Sequence, residues 1–288
     1  MNKTNTIDKS AKIHPNVLMG SYNKIGKNVI IDIIENNNDT IVNIGDNNIF
    51  NDNCRIYVNG SFMVGDWNIF HNDMLLMPEK YIRIGHNCWF GQNTILDGAG
   101  GLVIGNGVRV GMYSQIWTHV ASGERIEGCT LFAKRETKID DDVWLVGSCI
   151  VGSGIELGKR SVILINSLVT KDTAPHKTYS GSPAKIMENL NFYKPISIED
   201  KFNLLKVWLL EYCNINSVSY LNDEQQIILT NKKDNEKVIF TKKPKVNFKA
   251  NQSVFYLIDK TYQKTNIKLE RSVYKYLYGN MARFTPLN

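Results

Sequence analysis

The sequence predicts a mainly β protein, a parallel β-helix of six-residue steps followed by a small α+β appendage. Three observations predict it. Aliphatic and aromatic residues recur every six positions, and these steps group in threes, with triplets starting 20 residues apart: Ile44, Phe50, Ile56; Val64, Phe70, Leu76; Ile84, Phe90, Leu96; Ile104, Val110, Ile116. Glycine often follows the apolar residue (Gly45, Gly65, Gly85, Gly91, Gly105, Gly111, Gly152). A small or medium residue often stands four places after it (Cys54, Cys88, Thr94, Val108, Ser114, Val143, Cys149). A period of six matches neither an amphipathic helix nor a simple alternating strand. It matches short strands joined by tight corners, where Gly, Asn and Asp accept positive φ. Three strands close one triangular turn, and a two-residue bulge at one corner completes the period of 20. No single turn buries its own apolar face, so stacking supplies the stability.

The beat begins at Ile13, Met19, Ile25 and Ile31, and pauses at an Asn-rich stretch before Ile44. It breaks after Ile116 and resumes at Ile139, Leu145, Val151 and Leu157. The break is a polar loop over about 120–138, with His119 at its root. Gly181-Ser182-Pro183-Ala184-Lys185 then closes the repeat, and Pro183 is suited to the first turn of a short helix running to Leu190. Domains are expected at 1–194 and 195–288. In the second, Phe202, Leu205, Leu209 and Tyr212 share one face of a helix over 199–212. QQIILT and KVIFTKK flank NKKDNE as a hairpin, and SVFYLID reads as a further strand. Its aromatic residues, among them Trp208, Tyr220, Phe240, Phe255, Tyr274, Tyr276 and Tyr278, read as core or interface.

Composition bounds the function. With 43% hydrophobic and 22% charged residues the chain is ordinary for a globular protein. No apolar run reaches the roughly 18 residues of a membrane-spanning helix. The first 15 residues lack the apolar centre of a signal peptide. Cys54, Cys88 and Cys149 occupy small-residue slots and read as buried free thiols, which suits a cytoplasmic location. Residues 191–288 carry 16 Lys/Arg against 9 Asp/Glu, whereas residues 1–190 carry 18 against 19, so the basic excess lies wholly in the C-terminal part. It reads as a solvated surface, or as attraction to an anionic glycan, a phosphate-bearing carrier or, peripherally, the inner membrane face. No nucleic-acid partner is expected.

The ordered features DDVWLVGSCIVGSGIELGKRSVILINSLVTKDTAPHKTYSGSPAKIMENL, with a Val-Trp pair, a Thr-Lys-Asp and a Gly-x-Pro-Ala-Lys, resemble the closing segment of the hexapeptide-repeat acyltransferases, and the likeness covers about 13–190. It implies a left-handed parallel β-helix, against the usual right-handed crossover rule. It also implies acetyl-CoA as co-substrate without a metal, and a homotrimer with sites between subunits. The sugar and polysaccharide O-acetyltransferases of the family imply a carbohydrate acceptor, a hydroxyl of a cell-surface glycan or its precursor. Acyl transfer needs a base for the nucleophile's proton, a donor for the charge developing on the thioester oxygen and a groove for the carrier.

By this resemblance His119 is the base, and Glu124 and Glu127 are candidates to orient its other ring nitrogen. Trp144 walls the pocket, and the Gly147 amide faces the acyl oxygen. Gly147, Ile165, Thr170, Lys171 and Lys185 match coenzyme-contacting positions. Two departures stand out: Val146 and Leu164-Ile165-Asn166 replace residues that are small in relatives. Asp97, with Gln92 or Asn93 beside it, reads either as an acceptor of hydrogen bonds from substrate hydroxyls or as a plain corner residue. His71 and His86 read as structural corners; His14 and His176 lie outside the site. Three alternatives compete: N-acetylation of an amino sugar nucleotide, a zinc enzyme of the carbonic-anhydrase type, which needs three converging histidines, and a non-catalytic β-helix binding module.

Overall fold

The computed structural model describes residues 4–34, 40–121, 123–244 and 251–287. The Asn-rich pause at 35–39 lies outside them. The chain forms two compact units, Met1–Tyr193 and Lys194–Asn288.

In the first unit, successive two- to four-residue strands are dealt in rotation onto three parallel sheets, the faces of a triangular prism. The first face includes Ile49–Phe50, Ile69–Phe70, Trp89–Phe90, Arg109–Val110, Trp144–Leu145 and Val162–Ile163. The second includes Arg55–Val58, Leu75–Met77, Ile95–Asp97, Gln115–Ile116, Ile150–Val151 and Leu168–Val169. The third includes Ser61–Val64, Tyr81–Ile84, Leu102–Ile104, Thr137–Ile139 and Glu156–Leu157. Every residue of the four triplets is buried, and each aligns with its equivalent one coil away, as in Phe50, Phe70 and Phe90. Those three rings stack at centroid separations of 4.3 and 5.0 Å, almost parallel. The 20-residue period thus becomes a column of like side chains along the prism axis.

The corners are locked by side chains that accept backbone N–H groups from the preceding coil. Between the third and first faces, Asp46 accepts from the Ser21 amide, Asp66 from Asp46, His86 Nδ1 from Asp66, Asn106 from His86 and Asp141 from Asn106, at 2.6–2.9 Å. His86 therefore serves as one step of a ladder otherwise made of carboxylates and amides. Beside it, Asn48, Asn68 and Cys88 donate their amides to Asn23, Asn48 and Asn68 in turn. Residues at these corners take positive φ, including Asn47 (59°), Asn87 (64°) and Asp142 (58°).

Glycine after the inward residue has a packing reason. A Cβ on Gly111 would lie 2.0 Å from the Val146 carbonyl oxygen and 2.5 Å from its carbon. Backbone cannot yield there without breaking the coil above. Gly111→Ala is expected to destabilise the first unit by about 1–3 kcal/mol, read as a lower urea midpoint with unchanged slope.

The helix expected over 183–190 does not form. Lys185–Ile186 instead pairs antiparallel with Thr178–Ser180, and the Ala184 amide reaches the Leu168 carbonyl at 2.7 Å. A helix this short is marginal alone, whereas the last coil offers an open edge of backbone partners.

Among its described residues, the second unit is a six-stranded sheet with two helices. Helix α1 (Ile198–Asn216) starts at Ser197, whose hydroxyl caps the Asp200 amide, and it buries Phe202, Leu205, Leu209 and Tyr212 as the spacing predicts. The expected hairpin is present, Gln226–Asn231 against Glu236–Thr241, and Gln252–Tyr256 joins it in parallel. Phe240, Phe255, Tyr262 and Tyr274 form its core. Helix α2 (Lys268–Leu277) carries Glu270 wholly buried, where it accepts from the Thr265 amide and from the hydroxyls of Thr265 and Ser253. No described helix is long and apolar enough to cross a membrane.

Candidate active site

The corner between the second and third faces is where the six-residue beat breaks. Ile95–Asp97 runs into the glycine-rich turn Gly98-Ala99-Gly100-Gly101, and one coil later Gln115–Ile116 runs into Trp117 and Thr118. From there the chain leaves the prism as an antiparallel hairpin, His119–Ala121 against Phe132–Lys134, and returns to the coil at Thr137. Its root is tied down. The Thr118 carbonyl accepts the Arg135 amide at 2.9 Å and the Ser153 hydroxyl at 2.8 Å, and the Gly100 amide donates to the Thr118 hydroxyl at 2.8 Å. Gly100 has no room for a side chain: its Cβ would lie 2.3 Å from the Thr118 oxygen.

Asp97 organises this corner. It is 1% exposed. Its Oδ2 accepts from the Thr118 amide (2.8 Å), the Thr118 hydroxyl (2.7 Å) and His119 Nδ1 (2.8 Å), while Oδ1 accepts from the Ala99 amide at 3.3 Å. Burial alone would raise the Asp97 pKa, but the hydrogen bonds from Thr118, His119 and Ala99 outweigh it, and the carboxyl is held below its usual range. A carboxylate at Nδ1 places the imidazole proton there and leaves the Nε2 lone pair as the acceptor. The His119 side chain remains 34% exposed, and its ring meets the Trp117 indole edge-on at 5.9 Å. The arrangement is an imidazole with a fixed tautomer, a buried anion behind it and an open side in front.

Two expectations need correction. Glu124 and Glu127 lie at the exposed far end of the hairpin, around the short turn Arg125–Glu127, and do not reach the imidazole; Asp97 holds its other nitrogen instead. Gln92 and Asn93 are not beside Asp97, because the strand Ile95–Asp97 carries the chain across the whole second face between them. Asp97 itself has its donors within the protein and is sealed from solvent, which leaves it no contact with a substrate hydroxyl.

The remaining candidates fall on two edges of the prism. Asp97, His119, Thr170 and Lys171 share the corner between the second and third faces, where Thr170 and Lys171 follow the strand Leu168–Val169 two coils beyond His119. Gln92, Gly147 and Ile165 share the corner between the first and second faces. Its coils are linked by the Tyr113 amide to Gln92 O, the Ser148 amide to Met112 O and the Asn166 amide to Gly147 O, at 2.8–3.0 Å. Trp144 stands on the first face, 37% exposed, with its ring edge-on to Phe192 at 6.3 Å. Ile165, Met112 and Tyr113 protrude along that same edge. Lys185 is exposed on the closing strand. Within one chain, therefore, His119 and the residues expected at the acyl oxygen lie on different edges. Among the described residues, no three His, Cys, Asp or Glu side chains converge as metal ligands would.

No family model matches the chain. Individual proteins do. The chain is 28% identical over 119 residues to a galactoside O-acetyltransferase of Lactococcus lactis, covering 41% of this chain and 48% of that one. It is 44% identical over 50 residues to a chloramphenicol acetyltransferase of Morganella morganii, covering 17% and 24%. Each match thus spans less than two thirds of the relative. Among solved structures, a hexapeptide-repeat acetyltransferase of Vibrio cholerae aligns at 32% identity and TM-score 0.35 over 39% of this chain and 64% of its own. A polysialic acid O-acetyltransferase aligns at 19% and 0.45 over 67% and 90%.

Six-residue steps on three parallel faces, interrupted by a histidine-bearing hairpin, give this chain the parallel β-helix that its resemblance to the hexapeptide-repeat acyltransferases implies. Both of those curated relatives are named acetyltransferases, and the chain spans about half or less of their length.

Two parts of the site escaped sequence reasoning. Thr118 donates twice to Asp97, and a signal for the Asp97–His119 contact existed, since the 20-residue period sets residue 97 under residue 117. Lys134, Glu79, Tyr81 and Glu136 also gather at this corner, and no spacing rule links residues 55 apart across a loop.

Proposed function

We propose that this protein is an acetyl-CoA-dependent O-acetyltransferase that acetylates a sugar hydroxyl of a cell-surface glycan or its precursor. The observation that carries the reading is the buried Asp97 carboxylate on His119 Nδ1, which leaves Nε2 able to accept a proton. In this reading Nε2 takes the acceptor's hydroxyl proton as the oxygen adds to the acetyl carbonyl. The tetrahedral adduct then collapses, and the departing coenzyme A thiolate recovers that proton from His119. Names of sequence relatives support acetyl transfer, and a galactoside acceptor in one of them supports a sugar.

The reading includes a homotrimer with sites between copies. Its support is the separation of the candidates onto two edges, since Trp144, Gly147 and Ile165 of one copy can face His119 only on another. Lys171 and Lys185 would then lie along the donor's groove as point charges for its phosphates. All five cysteines are free thiols, in keeping with work in the cytoplasm.

Incubation with acetyl-CoA and a panel of sugars, followed by mass spectrometry, tests this. An acetyl increment removed by mild alkali is expected, because esters cleave where amides persist. An alkali-stable increment would mean an amine acceptor, and no increment on any carbohydrate would end the reading. Light scattering should give a particle about three times the 32.8 kDa chain; a monomer would remove the between-copy site.

A further inference from the structure

The hairpin that carries His119 is bridged to the coil beneath the Asp97 turn at two places. His119 and Lys134 are direct cross-strand partners. Side chains in such a pair leave the same face with Cβ atoms roughly 5 Å apart. Both reach down the same corner: His119 to Asp97 in the next coil, and Lys134 one coil further, to Glu79, with Nζ 2.5 Å from Oε1. Two residues along each segment, the Tyr81 hydroxyl bonds the Glu136 carboxylate. That bond pushes the Tyr81 phenol up and the Glu136 carboxyl down in pKa.

The two bridges therefore straddle the turn Gly98-Ala99-Gly100-Gly101. The turn is bare enough to let them cross, since a Cβ on Gly101 would lie 2.6 Å from the Tyr81 ring. Charged groups near the imidazole are then Asp97 from the turn below, Lys134 from the opposite strand, and Glu79 as the partner of Lys134. Arg135 turns instead toward Gly154, and Glu136 toward Tyr81.

We infer that Glu79 and Lys134 are positioning residues for His119: their ion pair holds the hairpin over the Asp97 turn and cancels the ammonium charge beside the imidazole, while the Tyr81–Glu136 bond secures the returning strand. For turnover the inference rests on His119 being the base, but the ring's titration does not depend on that. A half-exposed ion pair adds little to stability, so its effect belongs in local charge and local order rather than in folding.

The test uses the whole protein without substrate. Diethylpyrocarbonate modification of His119, followed across pH by mass spectrometry, gives the midpoint at which the ring becomes neutral. Glu79→Gln leaves Lys134 uncompensated, and a lone cation on the strand opposite the imidazole is expected to lower the midpoint. Lys134→Gln leaves Glu79 alone and should raise it by a similar amount, and the double variant should return near the starting value. Molar salt should shrink both shifts. Tyr81→Phe should leave the midpoint in place but speed amide exchange in 119–121 and 132–134. Unmoved midpoints in both single variants would overturn the charge-cancelling role. Unchanged exchange in Tyr81→Phe would overturn the securing role of that bond.

Discussion

His119→Ala is expected to lower acetyl transfer by about 10²–10⁴-fold, measured as free thiol released from acetyl-CoA in the presence of a sugar acceptor. The fold should survive the change. The side chain is 34% exposed and, among the described residues, is anchored by its bond to Asp97, so removing it opens no cavity in the prism. Binding of the donor, followed by calorimetry, should persist, because the residues expected to hold it lie along other coils. A loss of rate with retained donor affinity and an unchanged unfolding midpoint would mark removal of a proton acceptor. Near-normal turnover in this variant would refute the proposed mechanism outright, whatever the acceptor proves to be.

Asp97→Asn is the second large effect. Two orientations of the amide are available, and both fail. With its oxygen at the Oδ2 position, the three bonds from Thr118 and His119 survive, but the NH₂ group faces the Ala99 amide, donor against donor. Turned over, the NH₂ faces both Thr118 donors and forces His119 into the tautomer with its proton on Nε2, which removes the acceptor lone pair. A fall in kcat of about 10²–10⁴-fold is expected, with a smaller change in KM.

The same substitution carries a pH signature. The folded Asp97 pKa is depressed, so below the ordinary carboxylate range the unfolded chain binds more protons than the folded one. Its contribution is present above the unfolded value, near 3.9, and is lost as pH falls through the folded value. Urea midpoints of the native protein should therefore decline on acidification through and below about pH 4, and Asp97→Asn should flatten part of that decline. An identical acid limb in both proteins would show that the carboxylate is not stabilised as described.

The prism was legible in the sequence because each coil repeats the same physical requirement. One apolar residue per face must point inward, and a glycine or a positive-φ residue must turn the corner. Phe50, Phe70 and Phe90 announce their stack simply by standing 20 apart. The end of the repeat was less legible. Proline after a Gly-Ser pair favours a helix locally, yet the open edge of the last coil supplied a better set of backbone partners to Lys185–Ile186. The site was half legible. His119 was marked by the broken beat, but its partner was sought among nearby loop carboxylates when the coil spacing already pointed to Asp97, 22 residues back. Gln92 and Asn93 looked adjacent to Asp97 because they are near in sequence. In this fold five residues carry the chain across a whole face, and true neighbours are a coil away.

The ladder of Asp46, Asp66, His86, Asn106 and Asp141 bears on more than one corner. Each rung measures the next coil by a backbone amide held on a side-chain acceptor, so the spacing along the prism is metered by the inter-strand distance rather than by loop conformation. His119 and Asp97 sit on adjacent coils of the same prism, at the corner between the second and third faces. The spacing of the Asp97–His119 contact is thereby inherited from the period of the scaffold, and the hairpin beyond it can change in sequence without that contact losing its calibration.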